Sequence, residues 1–554
     1  MQLSSPNPIA KAFIERIQTG LARKSVQSCS RWATQYRVMD KPIKGNWSFE
    51  QFPWLKDMHD STAKFNIGQK SAQMGYTETL LNVVFYNIDV RHIDVLYVLP
   101  NKSPDAADFS ASRFDPAVEL SKHITSMFTN VKNIGHKRAG TCNIYIRGSK
   151  SRAGLKSVPV GLLCLDEVDE MPPENLSLAF ERLSGQPNPL NWLVSTPTID
   201  GFGINFYFKD STAEHFFFKC PHCSKLTELI YPDCLVITSD EIGDPRLKDS
   251  HYICKECKSK LHQESKKYWL SNGIWVPSQP DKISRGFHIN QMYSWVIEPW
   301  QIAEQALLAE TNAADEQELY NSKLGLPHVV AEARVTEDQI IACRGKYDKD
   351  STLPTPGLIV TMGIDVGKWL HYEIDEWWLP DYYNSTDLNA ICRCRVLSYG
   401  KKRDIEEINE LMDRYSVRMA VMDAQPERRK AYEFVSQNYG RAAMCFYIQG
   451  MSGKQIHLSD DAESRVTVDR TSWLDLSMGR FKNKSITVPG ALEREYIEHI
   501  KAPVRINKKR PDGSIVSMYI STSPDHYAHA RTYAEIAMPL AANIGSSIPI
   551  RNVL

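Results

Sequence analysis

Leu162-Leu-Cys-Leu-Asp166-Glu167-Val-Asp169-Glu170 joins four apolar residues directly to two adjacent carboxylates. A short apolar run bounded by polar residues reads as a fully buried strand. A buried strand that delivers Asp-Glu at its end is what an ATPase uses to hold Mg²⁺ and polarise the attacking water. Asp166 is then the metal-side carboxylate and Glu167 the general base. Asp169 and Glu170, just before Met171-Pro-Pro, read instead as the solvated acidic start of a helix, where carboxylates complement the positive end of the helix dipole.

Outward from this stretch, short apolar strands alternate with helical segments up to about residue 212, the pattern of an α/β sheet covered on both faces. The strands are predicted at Ala63–Gly68, Ile93–Leu99, Val160–Leu165 and Asn191–Ser195, and each ends in polar, glycine or proline residues. The carboxyl ends of such strands are where open parallel sheets bind ligands. After the first strand comes Lys70-Ser71-Ala-Gln-Met-Gly75-Tyr76-Thr77, leading into a helix predicted over Glu78–Tyr86. Against the phosphate-loop pattern G-x-x-x-x-G-K-[ST], Gly75 and Thr77 hold their places. Tyr76 occupies the lysine slot, and a lysine stands at the loop's first position. A long ammonium reaches a phosphate from either end of a short loop, and backbone N–H groups at the helix start do the cradling in both cases. Thr77 offers its hydroxyl to Mg²⁺. Alone, this loop reads equally well as a turn before a helix; the acidic strand is what favours nucleotide. The strand ending in Ser195-Thr196-Pro197-Thr198 supplies a hydroxyl-rich tip able to sense a γ-phosphate, a segment that on its own is a Ser/Thr/Pro turn. Arg113, Arg138 and Arg152 are the candidates for charge stabilisation at the phosphates, each of which also reads as a surface arginine.

Cys220-Pro-His-Cys223 and Cys254-Lys-Glu-Cys257 form two C-x-x-C turns. Two such turns point four thiolates at one ion and close a tetrahedron with no open position, so the metal is structural Zn²⁺. Phe216–Phe218 and Tyr252-Ile253 lead into the turns as strands of short hairpins, the build of a zinc ribbon. The gap between the pairs exceeds the usual spacing, so an elaborated loop lies between them. His222 and His262 are read as exposed neighbours, and the other eight cysteines, Cys392 and Cys394 included, as core or surface thiols.

Leu353-Pro-Thr-Pro356 reads as a linker. Beyond it, Leu358-Ile-Val-Thr-Met-Gly-Ile-Asp365 is an apolar strand ending in one carboxylate, followed by strands over Tyr372–Trp378 and Ala390–Tyr399, a helix near Asp404–Tyr415, and a strand ending in Met422-Asp423-Ala. Strand, strand, strand, helix, strand is the opening order of ribonuclease H-like sheets. Asp525 then falls in the first turn of a helix, in Ser523-Pro-Asp525-His526-Tyr-Ala-His529. Asp365, Asp423 and Asp525 converging from two strands and a helix would hold two Mg²⁺ or Mn²⁺ ions for phosphodiester cleavage. Taken singly, each aspartate is a strand-end turn or a helix cap. His526 is placed to touch metal or scissile phosphate, whereas His529 is read as a helix-surface residue. Lys501, Arg505, Lys508, Lys509 and Arg510, with Pro511-Asp-Gly513, read as a hairpin with a cationic tip suited to phosphate backbone or simply to solvent.

Composition sets the outer limits. A chain of 554 residues accommodates about three or four domains at roughly 150 residues each. With 42% hydrophobic and 24% charged residues it is globular rather than disordered. Lys+Arg 66 equals Asp+Glu 66, so any nucleic-acid contact must come from local patches. The opening MQLSSPNPIAKAFIERIQTG lacks the basic-then-apolar layout of a signal peptide, no run of about 18 apolar residues suggests a membrane span, and twelve cysteines in such a chain argue for thiols or metal over a disulfide scaffold.

Together these motifs resemble the large terminase subunits of tailed phages of the lambda-like GpA family. The resemblance rests on the loop with its lysine moved forward, Gly148-Ser-Lys-Ser, Leu165-Asp-Glu-Val-Asp-Glu-Met-Pro172, Ser195-Thr-Pro-Thr198, the paired cysteines, Gly286-Phe-His-Ile-Asn-Gln-Met-Tyr-Ser294, Gly363-Ile-Asp-Val366 and Asp525-His526. Asp423-Ala-Gln-Pro426 stands where the family has an Asp-Ser-Gly-like tip. What the resemblance implies is an α/β fold of three parts: a P-loop (ASCE-type) ATPase over residues 1–212, a zinc-ribbon-like four-cysteine module over 213–282 with a connector to 352, and a ribonuclease H-like endonuclease over 353–554. It implies an ATP-driven motor that packages double-stranded DNA, working in the host cell cytoplasm as a homo-oligomeric ring on the portal protein of the procapsid, with a small terminase subunit and no membrane. Lys70, Ser71, Gly75, Tyr76, Thr77, Asp166, Ser195 and Thr196 would serve ATP and its Mg²⁺, and Glu167, Asp365, Asp423 and Asp525 the chemistry. Two rival classes are a helicase-like repair ATPase fused to a nuclease, which should carry a second recombinase-like domain, and a decayed prophage product, which should have lost its acidic residues.

Overall fold

The computed structural model describes residues 27–41, 43–128, 133–156, 158–330, 333–379, 392–448, 456–459, 464–509 and 515–543. The chain forms two compact units, Met1–Val329 and Val330–Leu554.

The first unit is built on a 10-stranded sheet. Its strands are β1 (Phe65–Lys70), β2 (Val95–Leu99), β3 (His136–Ala139), β4 (Cys142–Gly148), β5 (Leu162–Asp166), β6 (Leu190–Ser195), β7 (Glu214–Lys219), β8 (Leu226–Thr227), β9 (Ile274–Pro277) and β10 (Arg285–Ile289). They lie in the order β8-β7-β10-β1-β6-β5-β2-β4-β3, with β9 also on β7. All pairs from β7 through β4 in this order are parallel, and antiparallel strands close the edges. Every residue of β2 and β5 is buried, as a parallel strand covered on both faces requires. Alternate residues serve opposite cores: Val95 and Tyr97 pack with helix α1 (Tyr76–Tyr86), whereas Leu96 and Val98 pack with the helix Gly203–Lys209. β6 lies between β1 and β5, so the loop after β1, the tip of β6 and the acidic end of β5 stand side by side.

At the edge of this sheet β7 and β8 form a hairpin around the first cysteine pair. A 3-stranded sheet of Leu235–Val236, His251–Ile253 and Lys260–Leu261 carries the second. The stretch read as a connector, 283–352, falls across both units: β10 completes the first sheet, while Val335, Ile340 and Cys343 pack into a core of the second. Thr355, in the stretch read as a linker, donates its N–H to Glu376 at 2.8 Å within the second unit.

The second unit holds an 8-stranded sheet of β11 (Ile359–Val366), β12 (Leu370–Trp378), β13 (Arg393–Lys402), β14 (Met419–Asp423), β15 (Ala442–Ile448), β16 (His457–Leu458), β17 (Arg465–Asp469) and β18 (Ile486–Thr487). The order is β16-β17-β15-β14-β11-β12-β13-β18, with β11, β12 and β13 an antiparallel meander and β14 parallel to β11. That is the ribonuclease H-like arrangement. The helix His526–Asn543, here α2, lies on β11 so closely that a Cβ on Gly363 would meet Ala530 O at 1.9 Å and Ala534 N at 2.2 Å. β19 (Pro503–Lys509) and β20 (Ile515–Ser521) form the expected hairpin. Its tip, Arg510–Gly513, lies outside the described residues. Two of its expected cations are engaged with carboxylates: Lys501, in the helix Arg494–Lys501, pairs with Glu337 at 3.2 Å, and Arg505 with Asp475 at 2.8 Å. Among the described residues no helix is long and apolar enough to cross a membrane.

Candidate functional site

In the first unit the loop between β1 and α1 faces the ends of β5 and β6. Lys70 Nζ donates to Glu167 Oε1 at 3.2 Å and to Thr196 Oγ1 at 3.3 Å. Thr77 Oγ1 donates to Asp166 Oδ2 at 3.0 Å, and the Tyr97 hydroxyl reaches the same oxygen at 2.7 Å. Asp166 Oδ1 is buried and makes no hydrogen bond among the described residues. Burial pushes the Asp166 carboxyl up to about 6, helped by the Glu167 charge and opposed by Lys70, Tyr97 and Thr77. A buried carboxylate oxygen without a partner, beside a threonine hydroxyl, suits a hard divalent cation that keeps part of its water shell. Ser195 Oγ bridges behind the acidic pair, accepting from Asp169 N at 3.2 Å and donating to Glu167 Oε2 at 3.5 Å. A cavity of about 530 Å³ opens here, within the size range of ligand pockets. Its polar lining includes Lys70, Thr77, Glu167, Thr196 and Arg113, and its apolar lining Trp47, Phe52, Leu55, Val296 and Ile297.

Three expectations need correction. Tyr76 lines the cavity, but its side chain is buried, with the ring filling the space where Gly68 lacks a Cβ. Only its backbone N–H, in the first turn of α1, remains for phosphate. Ser71 is likewise fully buried, with its hydroxyl unpartnered and its N–H bonded to Ile289 O at 3.0 Å. Asp169 is not solvated. It is buried and accepts from Thr198 N and Oγ1, both at 2.8 Å, and from Ile204 N at 2.7 Å, tying the β6 tip to the following helix; Glu170 alone is exposed. Of the three arginines, Arg113 lines the cavity while pairing with Glu78 at 3.3 Å. Arg138 and Arg152 are exposed away from it.

The four cysteine sulfurs of Cys220, Cys223, Cys254 and Cys257 lie within 4.8 Å of one another. Both turns repeat one hydrogen-bond pattern, with Cys220 N to Lys225 O and Cys254 N to Ser259 O each at 2.9 Å. Ser224 and Lys258, which follow each second cysteine, share left-handed backbone at φ 60° and 59°. Four thiol donors in this arrangement match a closed tetrahedral site. His222 and His262 are exposed, and the other eight cysteines are all buried.

In the second unit Asp365 and Asp423 end adjacent parallel strands whose register pairs Ile364 with Met422. Burial, with the Asp365 charge adding, pushes Asp423 up to about 6. Asp525 precedes α2 and accepts from Ser521 Oγ at 2.6 Å; His529 Nε2 lies 3.3 Å from it. Burial alone would raise Asp525, but the hydrogen bonds from His529 and Ser521 hold it below the ordinary carboxylate range. His529 is therefore not a surface residue: it is largely covered and positions Asp525. The donors lying within 4.8 Å of one another are Asp365, His371 and His526, without Asp423 or Asp525. His526 Nδ1 lies 2.8 Å from Asp365 Oδ2, and its ring stacks on His371 at 4.4 Å. His371 is buried with Nδ1 unpartnered, and burial lowers its imidazole to about 4. The sequence reading missed His371, although a signal was present. Asp365 and His371 flank a tight turn symmetrically and pair across the β11–β12 hairpin.

An ATPase sheet with its β6 tip between phosphate loop and acidic strand, and a ribonuclease H-like sheet with acidic strand ends, are thus carried by one polypeptide. Residues 41–275 match the phage terminase large subunit gpA ATPase domain, and residues 284–486 the terminase large subunit gpA endonuclease domain. The terminase large subunit of Escherichia phage lambda is 24% identical over 418 residues, covering 66% of this chain and 63% of that protein. That of Enterobacteria phage P21 is 24% identical over 225 residues, 37% of this chain and 34% of the relative. Each alignment spans less than two-thirds of the relative's length. The crystal structure of the HK97 bacteriophage large terminase shares the fold, with a TM-score of 0.50 at 10% identity over 92% of this chain and 98% of that one. The chain belongs to the gpA family of phage terminase large subunits and carries its ATPase and endonuclease domains.

Proposed function

We propose that this chain is the motor and nuclease of viral DNA packaging, cutting concatemeric double-stranded DNA and driving it into the procapsid by ATP hydrolysis. In this reading the unit Met1–Val329 is the motor, with a zinc-ribbon-like module around Cys220–Cys257 set at the edge of its sheet, and the unit Val330–Leu554 is the endonuclease. The observation that carries it is the placing of Lys70 Nζ within 3.3 Å of both Glu167 and Thr196, beside the Thr77–Asp166 contact. Lys70 and the N–H groups opening α1 bind the phosphates, Gly75 and Ser71 shape the loop, and Asp166 with Thr77 would hold Mg²⁺. Bound there, Mg²⁺ would supply neutralisation of charge on the transferred phosphoryl group. Glu167 draws the proton from the attacking water, while Ser195 and Thr196 register the loss of the γ-phosphate and pass it along the β6 tip.

In the endonuclease, Asp365, Asp423 and Asp525 would hold Mg²⁺ or Mn²⁺, whose chemistry there would be activation of water and stabilisation of the leaving 3′ oxygen. Cys220, Cys223, Cys254 and Cys257 would hold one structural Zn²⁺. The partners are duplex DNA, a small terminase subunit, the portal protein and further copies of this chain in a ring, in the host cell cytoplasm. A ring reconciles zero net charge with DNA binding, because one basic inward face per copy is sufficient. The test separates the two chemistries. Glu167→Gln should abolish ATP hydrolysis while leaving Mn²⁺-dependent plasmid cleavage intact, and Asp365→Ala should do the reverse. Either substitution leaving its assigned activity at the wild-type rate would refute that assignment.

A further inference from the structure

The turn at residues 290–297 forms one wall of the nucleotide cavity, through Gln291, Ser294, Val296 and Ile297. It has no long element of its own to hold it; its only regular piece is the short helical turn Gln291–Tyr293. What fixes it comes from behind, from the four-cysteine module. Lys266 is 1% exposed, and its amine donates to Met292 O at 2.9 Å and Ser294 O at 2.8 Å. The same amine sits 4.6 Å from the ring centroid of Tyr252, in the strand that leads into Cys254. Gln263 Nε2 donates to Trp295 O at 3.3 Å and Ile297 O at 3.2 Å. Leu229, beyond the first cysteine pair, gives its N–H to the Tyr293 hydroxyl at 2.8 Å and takes a hydrogen bond from Asn290 Nδ2 at the same distance.

On its other side the turn grips the phosphate loop. Gln291 Nε2 donates to Ala72 O at 2.9 Å, and Ser71 N donates to Ile289 O at 3.0 Å. Burial holds the Lys266 amine well below the ordinary lysine range, with the Glu298 charge opposing, and a polar group so placed is costly unless its donors are well satisfied. A methionine or leucine would fill this space without that cost, so general bracing of the fold does not account for a lysine here. Backbone carbonyls collected from two alternate residues of one turn do account for it. An amine that donates to both carbonyls holds such a turn in one shape, because two hydrogen bonds from one atom fix the separation of Met292 O and Ser294 O.

We propose that the four-cysteine module acts as the brace of the nucleotide cavity, and that Lys266 is the positioning residue through which it sets the 290–297 wall. This rests on the cavity being the ATP site. The module's contribution to the ATPase is then to nucleotide affinity, not to the chemical step and not to DNA.

The test is steady-state ATP hydrolysis by the full-length Lys266→Met variant, with zinc content, duplex-DNA affinity and plasmid cleavage measured alongside. The KM for ATP should rise about fivefold, the order expected when a binding wall loses two buried hydrogen bonds. The kcat should stay within twofold, and zinc, DNA binding and cleavage should be unchanged. Unchanged KM, a fall in kcat alone, or a loss of DNA affinity in place of nucleotide affinity would each overturn the proposal. Should Lys266→Met fail to fold, the half-buried Gln263→Ala carries the same test, with a rise in KM of about twofold for two neutral hydrogen bonds expected and an unchanged KM overturning it. Binding of a fluorescent ATP analogue to the wild-type chain, abolished by Lys70→Ala, distinguishes failure of this proposal from failure of the ATP-site reading itself.

Discussion

Gly363→Ala should disable the nuclease through packing alone. The new Cβ would lie 1.9 Å from Ala530 O, 2.2 Å from Ala534 N and 2.8 Å from Tyr533 C, all backbone atoms of α2 that no rotamer change can move. Ordinary contact begins near 3.4 Å, so α2 has to retreat from β11 by about 1.5 Å, because close-packed interiors hold no slack to absorb it. Overpacking of this kind costs about 1–3 kcal/mol, which lowers the unfolding temperature without preventing folding. The larger effect is on geometry. The first turn of α2 carries His526, 2.8 Å from Asp365, and Asp525 directly precedes it. A misplacement of about 1 Å at reacting groups costs on the order of 100-fold in rate. Metal-dependent plasmid cleavage should therefore fall by about that factor, while ATP hydrolysis, whose proposed residues all belong to the first unit, stays within twofold. Cleavage within threefold of wild type, with circular dichroism confirming a folded chain, would refute the argument that the α2–β11 contact sets the site.

Three further outcomes follow from individual side chains. Tyr76→Phe removes a buried hydroxyl that has no partner, so stability should hold or rise by up to about 1 kcal/mol, with the KM for ATP unchanged; a weaker ATP affinity would show that the ring faces the nucleotide. Asp169 has its carboxyl pushed up to about 6 by burial, despite three hydrogen bonds that favour the charged form. A folded-state pKa raised above the unfolded one contributes stability that is present below pH 4 and lost as pH rises through about 6. Relative to Asp169→Asn, the wild-type chain should lose up to about 3 kcal/mol between pH 4 and pH 7, read from denaturant midpoints at each pH, and parallel profiles would count against it. Elemental analysis should find about one zinc per chain, absent when Cys220 and Cys254 are both replaced; a metal-free, well-folded wild type would contradict the module.

The acidic strand ends and the cysteine turns were legible in the sequence because their signals are local. Four apolar residues before Asp166-Glu167 can only be a buried strand end, and a C-x-x-C turn orients its own two thiols. Most strand limits fall within about two residues of the expected ones, the usual uncertainty of boundaries. What could not be read locally is what tertiary packing decides. Tyr76 occupies a position that pattern matching assigns to phosphate, yet its ring goes to the core because Gly68, on a neighbouring element, leaves room for it. Asp169 looks like a solvated helix start until Thr198 and Ile204, brought back by β6, surround it. Lys266 carries no motif at all, and only the fold places its amine under the carbonyls of residues 26 and 28 positions further along the chain.

Both sites answer the same physical problem in the same way. Each needs carboxylates held at the carboxyl ends of parallel strands and a helix N-terminus brought close enough to share the charge. A helix packed on a sheet through ordinary side chains stands too far off for its first turn to reach a strand-end carboxylate directly. In the first unit the Tyr76 ring, at the start of α1, lies against Gly68 of β1, and Thr77 one residue on reaches Asp166 at 3.0 Å. In the second, Gly363 lets the backbone of α2 lie against β11, and His526 at the helix start reaches Asp365 at 2.8 Å. A glycine two residues before a strand's last functional residue sets the depth of the helix in each case: Gly68 before Lys70, and Gly363 before Asp365. The two sites differ in what offsets the negative charge. Lys70 supplies a fixed cation beside Glu167, whereas Asp365 has His526, whose imidazole its hydrogen bond with Asp365 raises above the ordinary value. A lysine suits a site whose ligand brings phosphates of its own. Imidazoles, which bind divalent metals once neutral, suit a site where the carboxylates must remain open to cations.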